Sequence, residues 1–250
     1  PLRKKEEPLF SGSSFFVCMP AAAYLPLPLH RIHQQNCAEV YDMERNQNYV
    51  ELWGVAESDP VFSHENHTRR FDKFPLRVER LSGQSDVPVI VASEALLRVC
   101  PVKAGQSLRI TGQLRSFNNR SGQGSKLVIT VFAQSIEPGD GSYFNRILLS
   151  GALCKKPALR RTPLGRSICD VILAVNRHYG RADYLPCIAW GQTAVQIAGM
   201  DVGEHLAAEG RVQSRTYTKL LETGSEERTA FEVSIMQLLD EEETEGTALP

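Results

Sequence analysis

Ala182-Asp183-Tyr184-Leu185-Pro186-Cys187-Ile188-Ala189-Trp190-Gly191-Gln192-Thr193-Ala194 is the stretch from which the fold is read. Side chains of a strand point alternately to its two faces. Leu185, Cys187 and Ala189 therefore share one face, small and apolar, as a barrel interior requires. Tyr184, Pro186, Ile188 and Trp190 share the other, which places two large aromatics outside, roughly 20 Å apart at about 3.3 Å per residue. After the strand, Thr193 to Gly199 fits a short helix with Thr193 as N-cap.

The same reading extends in both directions. Arg146–Leu153 predicts a first strand, and Lys155–Arg166 a loop punctuated by Pro157, Pro163 and Gly165. Ser167–Arg177 predicts a second strand, with Cys169, Val171, Leu173 and Val175 on one face. Leu206–Gln213 and Thr229–Leu238 predict a fourth and a fifth, joined by a polar hairpin over Thr216–Glu227. Five strands with a helix between the third and fourth is the order of an OB-fold barrel.

The pattern occurs twice. With the chain shifted by 98 residues, Pro88-Val89-Ile90-Val91 lies over Pro186-Cys187-Ile188-Ala189. Gly105-Gln106-Ser107-Leu108 lies over Gly203-Glu204-His205-Leu206, and Gly112-Gln113-Leu114-Arg115-Ser116 over Gly210-Arg211-Val212-Gln213-Ser214. Strands are expected at Tyr49–Val55, Pro75–Arg80, Val87–Val91, Leu108–Leu114 and Leu127–Phe132, with a helix starting at Ser93-Glu94. The fold class is therefore all-β: two tandem five-stranded OB-fold barrels, each with one short helix. The expected division is 1–45 a disordered leader or upstream translation with Met43 as the true start, 46–139 a first OB-fold, 144–239 a second, and 240–250 an acidic tail.

Charge separates these segments. Residues 144–239 carry 12 Lys and Arg against 9 Asp and Glu, whereas 240–250 carry 5 acids and no base. The net charge of −1 over 250 residues excludes a uniformly basic coat but not a local basic patch. No apolar run reaches membrane-span length. The six cysteines form no C-x-x-C pair, which points to reduced thiols in a cytoplasmic protein and away from zinc or a disulfide scaffold. No P-loop, G-x-S-x-G or H-E-x-x-H pattern occurs. His64-x-x-His67, with Glu65 and Asp72 nearby, has a metal-like spacing, and it falls in a polar stretch where solvated histidines are the rule. No enzyme, metal or cofactor is expected.

Several segments resemble the bacterial single-stranded DNA-binding protein family. They are Gly151-Ala152-Leu153, Lys156-Pro157-Ala158-Leu159-Arg160, Thr162-Pro163-Leu164-Gly165, Leu173-Ala174-Val175-Asn176-Arg177, Ala182 to Ala194, and Glu209 to Tyr217. They cover most of 145–239 in the family's order and spacing. The resemblance implies binding of single-stranded DNA without strong sequence preference, in replication, repair or recombination. It also implies an assembly of four OB domains, which a two-domain chain reaches as a homodimer. Replication or repair proteins are possible partners.

An unpaired strand offers flat base faces and needs cations for its phosphates. By the family match Tyr179, Tyr184, Trp190 and Tyr217 fall at base-stacking positions, Tyr179 and Tyr217 in loops. Arg160, Arg161, Arg166, Arg177, Arg181, Arg211, Arg215 and Lys219 lie near them. The residues alone leave Trp190 open between barrel interior, subunit contact and stacking surface. In the first copy the 98-residue shift sets Asp86, Ala92 and Asn119 opposite Tyr184, Trp190 and Tyr217, so no equivalent stacking platform is expected there. Trp53, Phe117, Arg77, Arg109 and Arg115 could form a different surface, although Trp53 fits a core equally well. The rival reading is an OB-fold adaptor subunit of a primosome or conjugation complex, with weak DNA binding.

Overall fold

A computed structural model describes residues 48–119, 125–177, 180–221 and 224–239, all within one compact unit of the chain, residues 39–250. The expected leader and acidic tail lie outside the described residues. The first half forms β1 (Asn48–Ala56), β2 (Val61–Asn66), β3 (Arg69–Glu79), β4 (Ser85–Asp86), β5 (Val89–Ser93), α1 (Glu94–Val99), β6 (Ser107–Asn118) and β7 (Leu127–Pro138). The second forms β8 (Phe144–Leu153), β9 (Ala158–Arg161), β10 (Ser167–Asn176), β11 (Ala182–Trp190), α2 (Gly191–Ala198), β12 (His205–Leu221) and β13 (Gly224–Leu238).

Each half is an OB-fold barrel. In the first, β1 meets β3 through Val55 and Arg77, and β5 runs parallel to β7 from Ile90 beside Val131. In the second, β8 meets β10 through Leu153 and Leu173, and β11 runs parallel to β13 from Cys187 beside Val233. Inward positions fill the interiors: Phe74, Ile90, Leu108 and Leu114 in one, Leu153, Leu173, Leu185 and Ala189 in the other. Each fully buried Leu, Ile or Phe stabilises the fold by roughly 1.5–3 kcal/mol. Glycine is required where strands cross closely. A Cβ on Gly151 would stand 2.6 Å from the Ala174 carbonyl oxygen, and one on Gly210 2.5 Å from that of Ser234.

The two barrels share one sheet. β1 pairs antiparallel with β8 from Asn48 opposite Leu149 to Trp53 opposite Phe144. Val50 faces Ile147 in this ladder, and the two are equivalent positions of the two copies. A pseudo-two-fold axis therefore passes between them. The outer face of the shared sheet carries Trp53 against Phe144, ring centroids 4.9 Å apart, with the Arg109 guanidinium 4.2 Å from the Trp53 ring. Glu51 accepts from Trp53 Nε1 at 2.9 Å. Trp53 is thus half-buried on the outer face, not in a barrel interior.

The structure departs from expectation at short or polar segments. Ala158–Arg161, expected as loop, pairs with β10 as β9, and β2 does the same with β3. Both are exposed edge strands without apolar alternation, so periodicity does not mark them. β12 and β13 run on as a ladder to Leu221 opposite Gly224, beyond the expected strand ends. Helix α2 starts at Gly191, not Thr193: Gly191 has φ +61°, which ends the strand abruptly and puts Trp190 at the N-cap with no side-chain cap bond. His64 lies in β2 with its ring stacked on Phe71, centroids 5.0 Å apart.

Candidate nucleic-acid interface

Along β11 the inward set Leu185, Cys187 and Ala189 is buried, while Tyr184 is 54% and Trp190 40% exposed. β13 pairs with β11 only at Cys187–Ala189, which leaves both aromatic ends of the strand open on that side. Pro186 is half-buried between them, and Ile188, although outward, is buried. The Tyr184 backbone N–H donates to Ser116 Oγ of the first barrel at 2.8 Å, fixing the strand where that ring emerges.

The other site candidates distribute as follows. Arg160, Arg161 and Arg166 lie exposed on the β9–β10 hairpin, whose turn uses Gly165 at φ +79°. Arg161, Arg166 and the exposed Arg181 carry no ion pair among the described residues. Arg160 is held by Asp170 through bonds of 2.5 and 3.2 Å. Arg211 is half-buried on β12, its Nε without a hydrogen-bond partner among the described residues. Tyr217 stands in β12 rather than in a loop, because the hairpin ladder continues past it; its hydroxyl lies 3.3 Å from Ser125 Oγ at the base of the first barrel's hairpin. Lys219 continues the same strand, opposite Glu226. Tyr179 lies outside the described residues.

Arg177 belongs to a different structure. Its guanidinium bonds both oxygens of Asp183, which is fully buried, and donates to the Ser116 carbonyl at 3.2 Å. Asp183 also accepts from Arg115 Nη1 at 3.1 Å and from the Ser116 N–H at 2.5 Å. The first copy repeats this. Arg80 bonds Asp86 through Nε at 2.6 Å, Asp86 accepts from the Ser214 N–H at 2.6 Å, and Arg80 Nη2 reaches the Ser214 carbonyl at 3.3 Å. Each barrel thus anchors the other's hairpin strand through an aspartate. Burial pushes both carboxyls up, but the hydrogen bonds from arginine and serine outweigh it and hold them below the ordinary range.

These contacts also correct the repeat register. Asp86 is the counterpart of Asp183, not of Tyr184, and it is buried and ion-paired rather than presented to a ligand. Phe71 opposite Ser93 corresponds to Ile168 opposite Trp190. Trp190 is therefore matched by Ser93, not Ala92, and the second copy gains its extra residue after the strand, around α2. No aromatic replaces Trp190 in the first barrel. Its outer face instead carries Phe71 5.6 Å from Phe132, with the Arg115 guanidinium 5.9 Å from the Phe132 ring and that of Arg70 5.2 Å from Phe62.

Sequence reasoning missed an open trough of ≈ 580 Å³ on the outer face of the second barrel. Pro186 is part of its lining, with Lys155, Lys156, Arg160 and Arg215 as the cationic part and Asp170 and Glu232 as the acidic part. Burial, then repulsion from Asp170, pushes the Glu232 carboxyl up against the opposing pull of Arg215 and Arg160. Glu232 alternates with the core residues of β13, a signal visible in the sequence only once that strand is set beside Pro186. Among the described residues no cluster of three or more His, Cys, Asp or Glu could hold a metal ion, and no helix is long and apolar enough to cross a membrane.

Comparison with known proteins addresses the second barrel directly. The model of the Single-strand binding protein family matches residues 144–239. Single-stranded DNA-binding protein B of Bacillus subtilis is 38% identical over 81 residues, 30% of this chain and 72% of that protein. Single-stranded DNA-binding protein 3 of Listeria innocua is 38% identical over 80 residues, 29% of this chain and 50% of that protein. The chain spans about half the length of most of the curated relatives it resembles. The solved wild-type single-stranded DNA binding protein of Thermus aquaticus covers 81% of this chain with a TM-score of 0.63 at 22% identity, so its likeness, which takes in both barrels, is one of fold. The barrel architecture, the family match and the extent of the Bacillus subtilis relative together place this chain in the single-strand binding protein family.

Proposed function

We propose that the chain binds single-stranded DNA without strong sequence preference and protects it during replication, repair or recombination. The observation that carries this reading is the pair of exposed rings, Tyr184 and Trp190, on the outer face of β11, bordered by Arg161, Arg166 and Arg181. Bases stack on the rings, and phosphates meet the arginines. Arg160, Arg211, Arg215 and Tyr217 extend the surface along the two hairpins, and Lys219 and Tyr179 are proposed to contribute to the same binding. Arg177 supports it indirectly, by holding Asp183 next to Tyr184. The chemistry is binding alone, and no catalytic step is assigned.

A second copy of the chain completes an assembly of four barrels, packed on the outer face of the shared sheet where Trp53 and Phe144 lie. The deciding experiment is titration with oligo-dT at two salt concentrations, followed by tryptophan fluorescence. Tight, salt-sensitive binding with quenching, lost in Trp190→Ala, supports the proposal. Binding that is weak in the unaltered chain and indifferent to Trp190 points instead to an adaptor.

A further inference from the structure

Four cations line the trough beside the stacking residues, yet two carboxylates stand among them. We infer that entry of a DNA strand into this trough drives a proton onto Glu232, so that affinity for single-stranded DNA rises as the pH falls. The inference rests on the DNA-binding reading of the same face.

The geometry around Glu232 is lopsided. Its side chain is 12% exposed, that of Arg215 60%. From β12, Arg215 Nε approaches Glu232 Oε2 at 3.8 Å, too far for a hydrogen bond. From β10 comes Asp170, a like charge, and from β9 Arg160, whose guanidinium is already taken by Asp170. β11 contributes Pro186 and Cys187, whose thiol burial keeps neutral. Lys155 and Lys156 follow β8, and Lys156 is bonded to Asp201. Arg215 is therefore the principal counter-charge of a largely buried carboxylate, and its own exposure leaves it open to a ligand.

A phosphate that engages Arg215 takes that counter-charge away and adds a negative charge of its own. Glu232 is then left beside Asp170 and the phosphate with its solvation already reduced. A carboxylate so placed favours its neutral form. Burial and Asp170 already press in that direction in the free protein. The DNA-bound state consequently holds more protons than the free state. By linkage, affinity falls as pH rises between the free and bound titrations of Glu232 and levels off above them.

The test uses the full chain and oligo-dT, whose bases do not titrate in this window, at fixed salt. The unaltered protein is expected to bind roughly 5- to 10-fold more tightly at about pH 5.5 than at about pH 8, a change of less than one proton per barrel. Glu232→Gln is expected to bind nearly independently of pH, and at about pH 8 at least as tightly as the unaltered chain. Calorimetry in two buffers of different ionisation enthalpy is expected to show proton uptake at about pH 6 in the unaltered chain only. A flat pH profile in the unaltered chain, or an unchanged slope in Glu232→Gln as histidines elsewhere would give, overturns the inference. Should Glu232→Gln fail to fold, calorimetry of the unaltered chain decides alone, and absence of proton uptake overturns it. Loss of the DNA-binding reading looks different: no binding at any pH, or binding untouched by Trp190→Ala.

Discussion

On the proposed function, single residues on the face of β11 divide into those offered to a ligand and those that hold the face in place. Trp190 and Tyr184 emerge because strand alternation puts them opposite a buried Leu-Cys-Ala row, and this was legible in thirteen consecutive letters. Stacking is worth about 1–3 kcal/mol per base, so Trp190→Ala is expected to weaken oligo-dT binding by roughly 5- to 150-fold in a fluorescence-independent assay such as filter binding. Arginines were not separable by letter. Arg161 and Arg177 look alike in sequence, but one is exposed and the other clasps a buried aspartate. Arg161→Ala is expected to lower the slope of log affinity against log salt by about 0.7, while Arg177→Ala leaves that slope intact and lowers the unfolding midpoint.

At the scale of elements, the reciprocal contacts of Asp86 with Ser214 and of Asp183 with Ser116 tie each third strand to the other barrel's hairpin. Removing one partner of a buried pair costs roughly 3–5 kcal/mol, because the other charge is left uncompensated. Asp183→Ala is expected to lose stability on that scale, read from the urea midpoint at neutral pH. The acid limit has a definite sign. Both carboxyls titrate below their ordinary value in the folded state. Their contribution is complete above the unfolded value and is lost as the pH falls through the folded one. The urea midpoint should therefore drop below about pH 4, and Asp183→Ala should lose less over that range than the unaltered chain. The contact was hidden by a slip of one residue. The 98-residue shift is right for Gly112 over Gly210, but applied to β11 it set Asp86 over Tyr184 and separated the repeated Arg-Asp pairs. Edge strands β2 and β9 were missed for a different reason: exposed on both faces, they carry no hydrophobic rhythm to read.

For the whole molecule, the barrel repeat was legible because glycines at strand crossings and apolar core positions recur together. How the barrels join was not, since backbone pairing of β1 with β8 leaves no mark in side-chain pattern. The proposed function puts most of the affinity on the second barrel, and assembly on the sheet face that both barrels share. Trp190→Ala and Tyr184→Ala are accordingly expected to weaken oligo-dT binding several-fold more than Phe132→Ala or Phe62→Ala. Comparable losses from both sets in the same titration would reverse that assignment. Light scattering is expected to give a particle of twice 27.8 kDa, and Phe144→Glu on the outer sheet face to return it to a single chain.

The axis between Val50 and Ile147 lies inside one polypeptide. Identical subunits must carry every substitution in duplicate, on both sides of their dyad. Here a codon can change on one side only, as Ser93 and Trp190 already differ. Mutation can thus tune one lobe for grip and the other for cohesion, without either lobe having to accept the compromise of its twin.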